Sequence, residues 1–103
     1  MAKRATINCG NRILGFVDIS TVENWHIYGS FTPGSDFALY KDAIIAVRTL
    51  QHEAESNPEV DWTDALEIVN GYGFSLANDD GTHKPICDFQ LDDDGVAEFK
   101  FEL

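Results

Sequence analysis

The hydrophobic pattern of the chain changes period twice, and this change constrains the fold more than any other feature. Apolar and polar residues alternate along 6–31 and again along 72–103, as they do in half-buried β-strands. Between these regions, apolar residues recur every three or four positions, which is typical of amphipathic helices. The length of 103 residues is enough for one domain with one core. We therefore predict a single α+β domain over 1–103.

The first alternating region predicts three strands. Gly10-Asn11 is typical of a two-residue hairpin turn and separates the first strand from the second. We place the next turn at 20–23, after which a third strand begins at Trp25. By alternation, the Trp25 side chain is expected to point the same way as Ile27 and Phe31.

Two helices are predicted in the middle of the chain. The first follows Ser35, which can cap a helix, and runs to about Glu55 before Pro58 stops it. The second begins at Asp61, whose carboxylate suits a helix N-terminus, and ends at Gly71.

Three more strands complete the predicted order βββ-αα-βββ. In the middle one of these, strict alternation places Cys87 and Phe89 on one face, with Ile86 and Asp88 on the other. Strands that alternate in this way usually leave one sheet face in water. We therefore predict a single antiparallel sheet with a helical hairpin packed on one face.

The charge of the chain is asymmetric. Residues 1–52 hold five Lys or Arg and four acids, whereas residues 53–103 hold two Lys and fourteen acids, within a net charge of −11. Acids in turns and at the helix start have local structural reasons, but an excess is left. A one-sided negative potential speeds encounter with a cationic surface. It argues against nucleic acid as a direct ligand, because phosphates need cations.

We therefore predict a non-catalytic domain of the immunity, inhibitor or regulatory type that binds a basic protein. The candidate protein-binding residues are Glu53, Glu55, Glu59, Asp61, Asp64, Glu67, Asp88, Asp92, Asp93 and Asp94. Self-association through an exposed strand edge is a further expectation.

The alternative is a small enzyme or ligand binder that uses an exposed sheet face. His26 and Tyr28 share one face of the third strand and are the candidate ligand-binding pair, with Asp88 or Glu98 as the acid. No nucleophile, dinucleotide or phosphate-loop motif occurs, so no catalytic residue and no cofactor is predicted.

No metal site is predicted either. The three histidines lack ligand spacing. The acidic run before Gly95 fails the calcium-loop test, because Gln90 and Phe101 would occupy the first and last ligand positions. A hairpin turn explains this run better.

The chain shows no signal peptide and no membrane-length apolar run, so we expect a cytoplasmic protein. In a reducing compartment, Cys9 and Cys87 are expected to be small buried hydrophobes. A disulfide between them is the alternative if their strands are neighbours.

Two segments carry a resemblance to known proteins. They are the string WHIYGSFTPG at 25–34 with the SDF that follows, and ICDF at 86–89 before an acidic turn and an aromatic last strand. In both, the chain resembles a family of small uncharacterised bacterial α+β proteins. The resemblance covers the middle and the end of the chain, and it implies no activity and no catalytic residue.

Overall fold

The computed structural model describes residues 3–78 and 80–101. The elements are β1 (Lys3–Cys9), β2 (Arg12–Glu23), β3 (His26–Pro33), a short 3₁₀ helix (Phe37–Leu39), α1 (Lys41–Ser56), α2 (Thr63–Gly71), β4 (Ser75–Ala77), β5 (His83–Leu91) and β6 (Val96–Phe101). Strands therefore precede and follow the helices, as the change of period indicates.

The strands form a closed antiparallel barrel in the order β1-β2-β3-β6-β5-β4, so the predicted open sheet with a helical hairpin on one face is wrong. Closure depends on β4, which pairs with β1 from Thr6 to Asn8 and with β5 from His83 to Pro85. The pairing of β4 with β1 joins distant parts of the chain, and alternation within a strand carries no information about its neighbours.

The bending that closes the barrel comes from irregularities in the strands. β2 runs through the predicted turn at 20–23 as strand, with a register shift between Ile19 and Thr21. Gly29 lies where β2 approaches β3 so closely that a Cβ atom would stand 2.4 Å from the Asp18 carbonyl oxygen. Bulges and strand glycines are the usual means of curving a sheet.

A bulge in β5 corrects the predicted faces of that strand. Cys87 pairs with Lys100 and Gln90 pairs with Glu98, so two residues of β5 lie opposite one residue of β6. The extra residue is Asp88, with φ +56°. As a result, the alternation of inward and outward side chains shifts by one residue at Asp88. Ile86 and Phe89 are both buried, although strict alternation would place them on opposite faces of the strand.

The helices pack against each other and against β5. Their buried residues, Ile44 and Val47 of α1 and Val69 of α2, join the barrel interior in one hydrophobic core. Phe89 lies at the centre of that core and stands 5.5 to 6.1 Å, between ring centroids, from three other phenylalanines: Phe31, Phe74 and Phe99. Neither described helix is long and apolar enough to cross a membrane.

Candidate functional site

The ten predicted protein-binding acids lie on the helical side of the molecule. Glu53 and Glu55 are on α1, Glu59 and Asp61 between the helices, Asp64 and Glu67 on α2, Asp88 in the β5 bulge, and Asp92, Asp93 and Asp94 at the end of β5 and in the turn after it. Eight are exposed, and the other two, Asp88 and Asp92, are half-buried. β5 stands three places from β2 in the ring of six strands, so the helices on β5 carry these acids away from β2.

Some of these acids have local structural roles. Asp61 Oδ1 accepts the Thr63 N–H at 2.8 Å, and hydrogen bonding from Thr63 lowers the pKa of the Asp61 carboxyl. Asp92 Oδ1 accepts the N–H groups of Asp94 at 2.9 Å and Val96 at 2.8 Å. The acidic run before Gly95 is therefore a hairpin turn whose first carboxylate is occupied.

The ion pairs that Lys and Arg make in the folded protein involve acids of the first half more often than the ten predicted protein-binding acids. In the first half, Arg4 Nε lies 3.3 Å from Asp18 Oδ1, and Arg12 Nη1 lies 3.8 Å from Asp36 Oδ1. Among the ten acids, Asp88 alone has a Lys or Arg partner within the described part of the chain. Two of the four acids in the first half are thus paired with arginines, whereas most described acids of the second half face water without a Lys or Arg partner.

His52 brings two acidic segments together. Its Nδ1 lies 3.8 Å from Glu55 Oε2, and its Nε2 lies 3.8 Å from Asp93 Oδ2. The end of α1 and the turn after β5 therefore share one surface. We call the acidic surface those exposed acids of the ten whose carboxylates accept no backbone N–H group in the described part of the chain: Glu53, Glu55, Glu59, Asp64, Glu67, Asp93 and Asp94.

The predicted ligand-binding pair also comes together with an acid. His26 and Tyr28 stack with 6.2 Å between ring centroids, and His26 Nδ1 lies 3.3 Å from Glu98 Oε2. Partial burial, followed by the carboxylates of Glu98 and Glu23, raises the pKa of the Tyr28 phenol. The Tyr28 phenol, like that of an ordinary tyrosine, is protonated at neutral pH and can donate a hydrogen bond.

A hollow of about 370 Å³ opens beside His26. We call it the Trp25 hollow, and its lining residues are Asn24, Trp25, His26, Cys87, Asp88, Lys100 and Phe101. It combines aromatic rings with one carboxylate and one ammonium group. Mixed apolar and polar walls of this kind are typical of small-molecule sites.

Strained backbone surrounds this hollow. Asn24, Trp25 and Asp88 have φ values of +47°, +75° and +56°, and they are the described non-glycine residues with positive φ. The first two form the turn between β2 and β3, where glycine is preferred at the second position. Trp25 is 70% exposed, so burial does not compensate its strain. Such strain tends to gather where ligands bind.

Helix α2 and strand β6 hold the Asp88 carboxylate in place. Asn70 Oδ1 of α2 accepts the Asp88 N–H at 2.7 Å, and Asn70 Nδ2 donates to Asp88 Oδ1 at 3.0 Å. Lys100 Nζ lies 3.4 Å from Asp88 Oδ2. The side chain is thereby fixed at the wall of the hollow.

Trp25 and Asn70 were not predicted as residues of the site. Trp25 was expected on the inner face of β3, but it lies in the turn before that strand and is exposed. Asn24, a residue type that tolerates left-handed backbone, was the available signal for that turn. Nothing in the sequence indicates that Asn70 meets Asp88, because α2 and β5 are brought together by tertiary packing.

Both cysteines are thiols, so the disulfide alternative is not realised. Cys9 Sγ donates to the Tyr72 carbonyl oxygen at 3.1 Å. Within residues 3–78 and 80–101, no three His, Cys, Asp or Glu side chains gather as a metal site.

The chain was compared with protein-family models, with curated proteins and with solved structures, and none of the three comparisons gives a significant match. The resemblance to small bacterial α+β proteins therefore supplies no function, and a function can be inferred only from the chemistry of the candidate sites.

Proposed function

We propose that the protein is a small non-catalytic domain that binds a basic protein through the acidic surface. The observation that carries this proposal is the distribution of ion pairs: Arg4 and Arg12 neutralise acids of the first half, while the acidic surface meets only His52 among the described residues. Uncompensated charge on one side of a protein steers a partner of opposite charge. A cytoplasmic location, argued from the sequence, belongs to the same proposal.

Homo-oligomerisation stays a prediction without a structural basis of its own. Each strand of the barrel has two neighbouring strands, and closure removes the continuous edge on which the expectation depended.

Neutralising the acidic surface should slow association with the partner. We expect the double variant Glu55→Gln/Glu67→Gln to reduce the association rate by about tenfold at low salt, with little change in the dissociation rate. The partner would be captured from the native host at low salt, and binding kinetics would then be measured with the purified pair.

The matched control is Glu23→Gln/Asp42→Asn, which removes the same charge from exposed acids of the first half. It should leave association within about twofold of the parent, because the Coulomb energy between two charges falls with their separation and these acids lie outside the acidic surface. A partner whose binding both double variants weaken equally, or neither weakens, would refute recognition by the acidic surface.

A second candidate function, ligand binding around His26 and Tyr28, is favoured on the His26 side by the strained residues that line the Trp25 hollow. Tyr28 is not part of that lining and adjoins it through its stacking on His26. The strain gives a direct test at Trp25. We expect Trp25→Gly to raise Tm by about 4 °C, because relief of about 1–3 kcal/mol of strain exceeds the entropic cost of glycine. The same variant should abolish binding of planar fragments that shift the amide resonances of residues 24–26 and 87–88.

Trp25→Phe is the matched control, since it keeps a ring and the positive φ. Its Tm should equal that of the parent, and fragment binding should be retained in weakened form. Unchanged fragment binding in Trp25→Gly would rule out the hollow as the binding site.

A further inference from the structure

A groove of about 410 Å³ runs between α1 and the end of β5. On the α1 side it is lined by Lys41, Ile45, Arg48, Thr49 and His52, and on the other side by Pro33, Phe37, Leu91, Asp92 and Asp93. We call it the α1 groove. It is separate from the Trp25 hollow, with which it shares no lining residue.

Basic side chains form a stripe along this groove. Lys41, Arg48 and His52 follow one another at spacings of seven and four residues, with Ile45 between the first two. These spacings place all four on one face of α1. The groove is therefore basic on one wall in a chain whose net charge is −11.

Lys41 and Arg48 have no ion-pair partner among the described residues. Arg4, Arg12 and Lys100 each pair with a carboxylate, and Lys84 Nζ lies 5.2 Å from the centre of the Phe101 ring. Within the described part of the chain, Lys41 and Arg48 make no ion pair, although acids outnumber basic residues by more than two to one. A shortage of carboxylates cannot explain this.

Arg48 also lacks a hydrogen-bond acceptor, since its Nε atom is buried and has no hydrogen-bond partner among the described residues. Arg48 also lines a smaller adjoining hollow of about 130 Å³, together with Asp92 and Glu98. A buried donor without an acceptor is costly, so such a donor marks a place where an acceptor is missing.

The two acids that line this smaller hollow with Arg48 contact other groups. Asp92 Oδ1 accepts two backbone N–H groups of the turn that follows it. Glu98 Oε2 lies 3.3 Å from His26 Nδ1. The fold thus holds carboxylates close to Arg48 without pairing them to it.

The remainder of the groove is apolar. Ile45 is 43% exposed although its neighbours in the groove, Phe37 and Leu91, are buried or half-buried. An occupant therefore needs an oxyanion for Arg48 and Lys41 and a hydrocarbon body for Ile45 and Leu91.

We propose that the α1 groove binds a small amphiphilic carboxylate, an organic acid with an apolar chain or ring. The planar guanidinium of an arginine presents paired N–H groups that match the two oxygens of a carboxylate. A phosphate monoester is disfavoured, because its second negative charge would face Asp92 and Asp93 on the opposite wall. The groove adjoins the acidic surface at Asp93, but neither Arg48 nor Lys41 belongs to that surface, so substitutions at these two residues test the groove without altering the acidic surface.

The first test uses the unaltered protein and two pairs of probes: octanoate with octanamide, and 4-phenylbutyrate with 4-phenylbutyramide. Titration followed by amide NMR shifts should show each acid binding at least about tenfold more tightly than its amide. The shifts should map to residues 41–52 and 90–93. An amide that binds as tightly as its acid, shifts that map elsewhere, or an absence of binding at millimolar acid would overturn the proposal.

The second test changes the cation. Arg48→Gln should weaken binding of 4-phenylbutyrate by about tenfold or more, whereas Arg12→Gln, which removes an arginine paired with Asp36, should leave it within about twofold. Lys41→Gln alters an exposed residue and tests the same groove if Arg48→Gln does not fold. Phenyl phosphate that binds more tightly than the carboxylate would overturn the assignment of ligand class.

Discussion

Replacing Phe89 by alanine is expected to lower the free energy of unfolding by about 4 kcal/mol. Phe89 is 1% exposed, and its ring lies against Phe31 of β3, Phe74 before β4 and Phe99 of β6. The alanine variant loses the transfer free energy of the ring and leaves a cavity that this surrounding set of rings cannot fill. Since a domain of this size is stable by roughly 5–15 kcal/mol, this loss removes about a quarter to four-fifths of its stability.

Urea denaturation followed by circular dichroism measures this effect. Leu39→Ala is the control, because Leu39 is 60% exposed and its truncation should cost less than about 0.5 kcal/mol. A loss of less than about 1 kcal/mol for Phe89→Ala would mean that Phe89 is not at the centre of the core.

Replacing Gly29 by alanine should destabilise the barrel by about 3 kcal/mol. A Cβ atom on Gly29 would lie 2.4 Å from the Asp18 carbonyl oxygen and 2.8 Å from Val17 Cγ2. The first of these is a backbone atom of β2, so the strand itself must move to make room. Because β2 also pairs with β1, the displacement would spread around the barrel.

Gly71→Ala is the matched control for this prediction. Gly71 ends α2, has no heavy atom within 4 Å of the position its Cβ would take, and does not have a positive φ. Alanine there should leave stability unchanged or raise it by about 0.5–1 kcal/mol. Equal effects of the two substitutions on the urea midpoint would contradict the close approach of β2 and β3.

Local patterns in the sequence predicted part of the local structure, although the turn placed at 20–23 was wrong because β2 continues to Glu23. Gly10 has φ +60°, and Cys9 pairs with Arg12, as the Gly-first hairpin signal requires. The alternation of the last strand places Ala97 and Phe99 inside. These features depend on residues within a few positions of one another, so turn preferences and side-chain period are sufficient to predict them.

The inward and outward faces of β5 could not be predicted from local patterns. Alternation assumes a regular strand, and the bulge at Asp88 adds one residue that reverses the faces beyond it. Asp88 is held in that conformation by Asn70, which comes from a different element. A bulge that depends on a tertiary contact leaves no periodic signal in the strand itself.

The candidate sites likewise combine features that the sequence predicts with features that depend on the tertiary structure. The acidity of the second half and the sharing of one strand face by His26 and Tyr28 were visible in the sequence. The convergence of Glu98 with His26, the strain at Trp25 and the unpaired Arg48 were not. Each depends on strands or helices that meet only after the barrel has closed.

By itself, the sequence determined the order of strands and helices, the two hairpin turns at Gly10 and Gly95, and the near-neutral and acidic halves. The tertiary structure alone decided that the sheet closes, because closure requires β1 to pair with β4 across most of the chain. It also decided which charges stay unpaired. Ion pairing depends on distances of a few ångströms between side chains, and the period of a sequence does not encode such distances between separate elements.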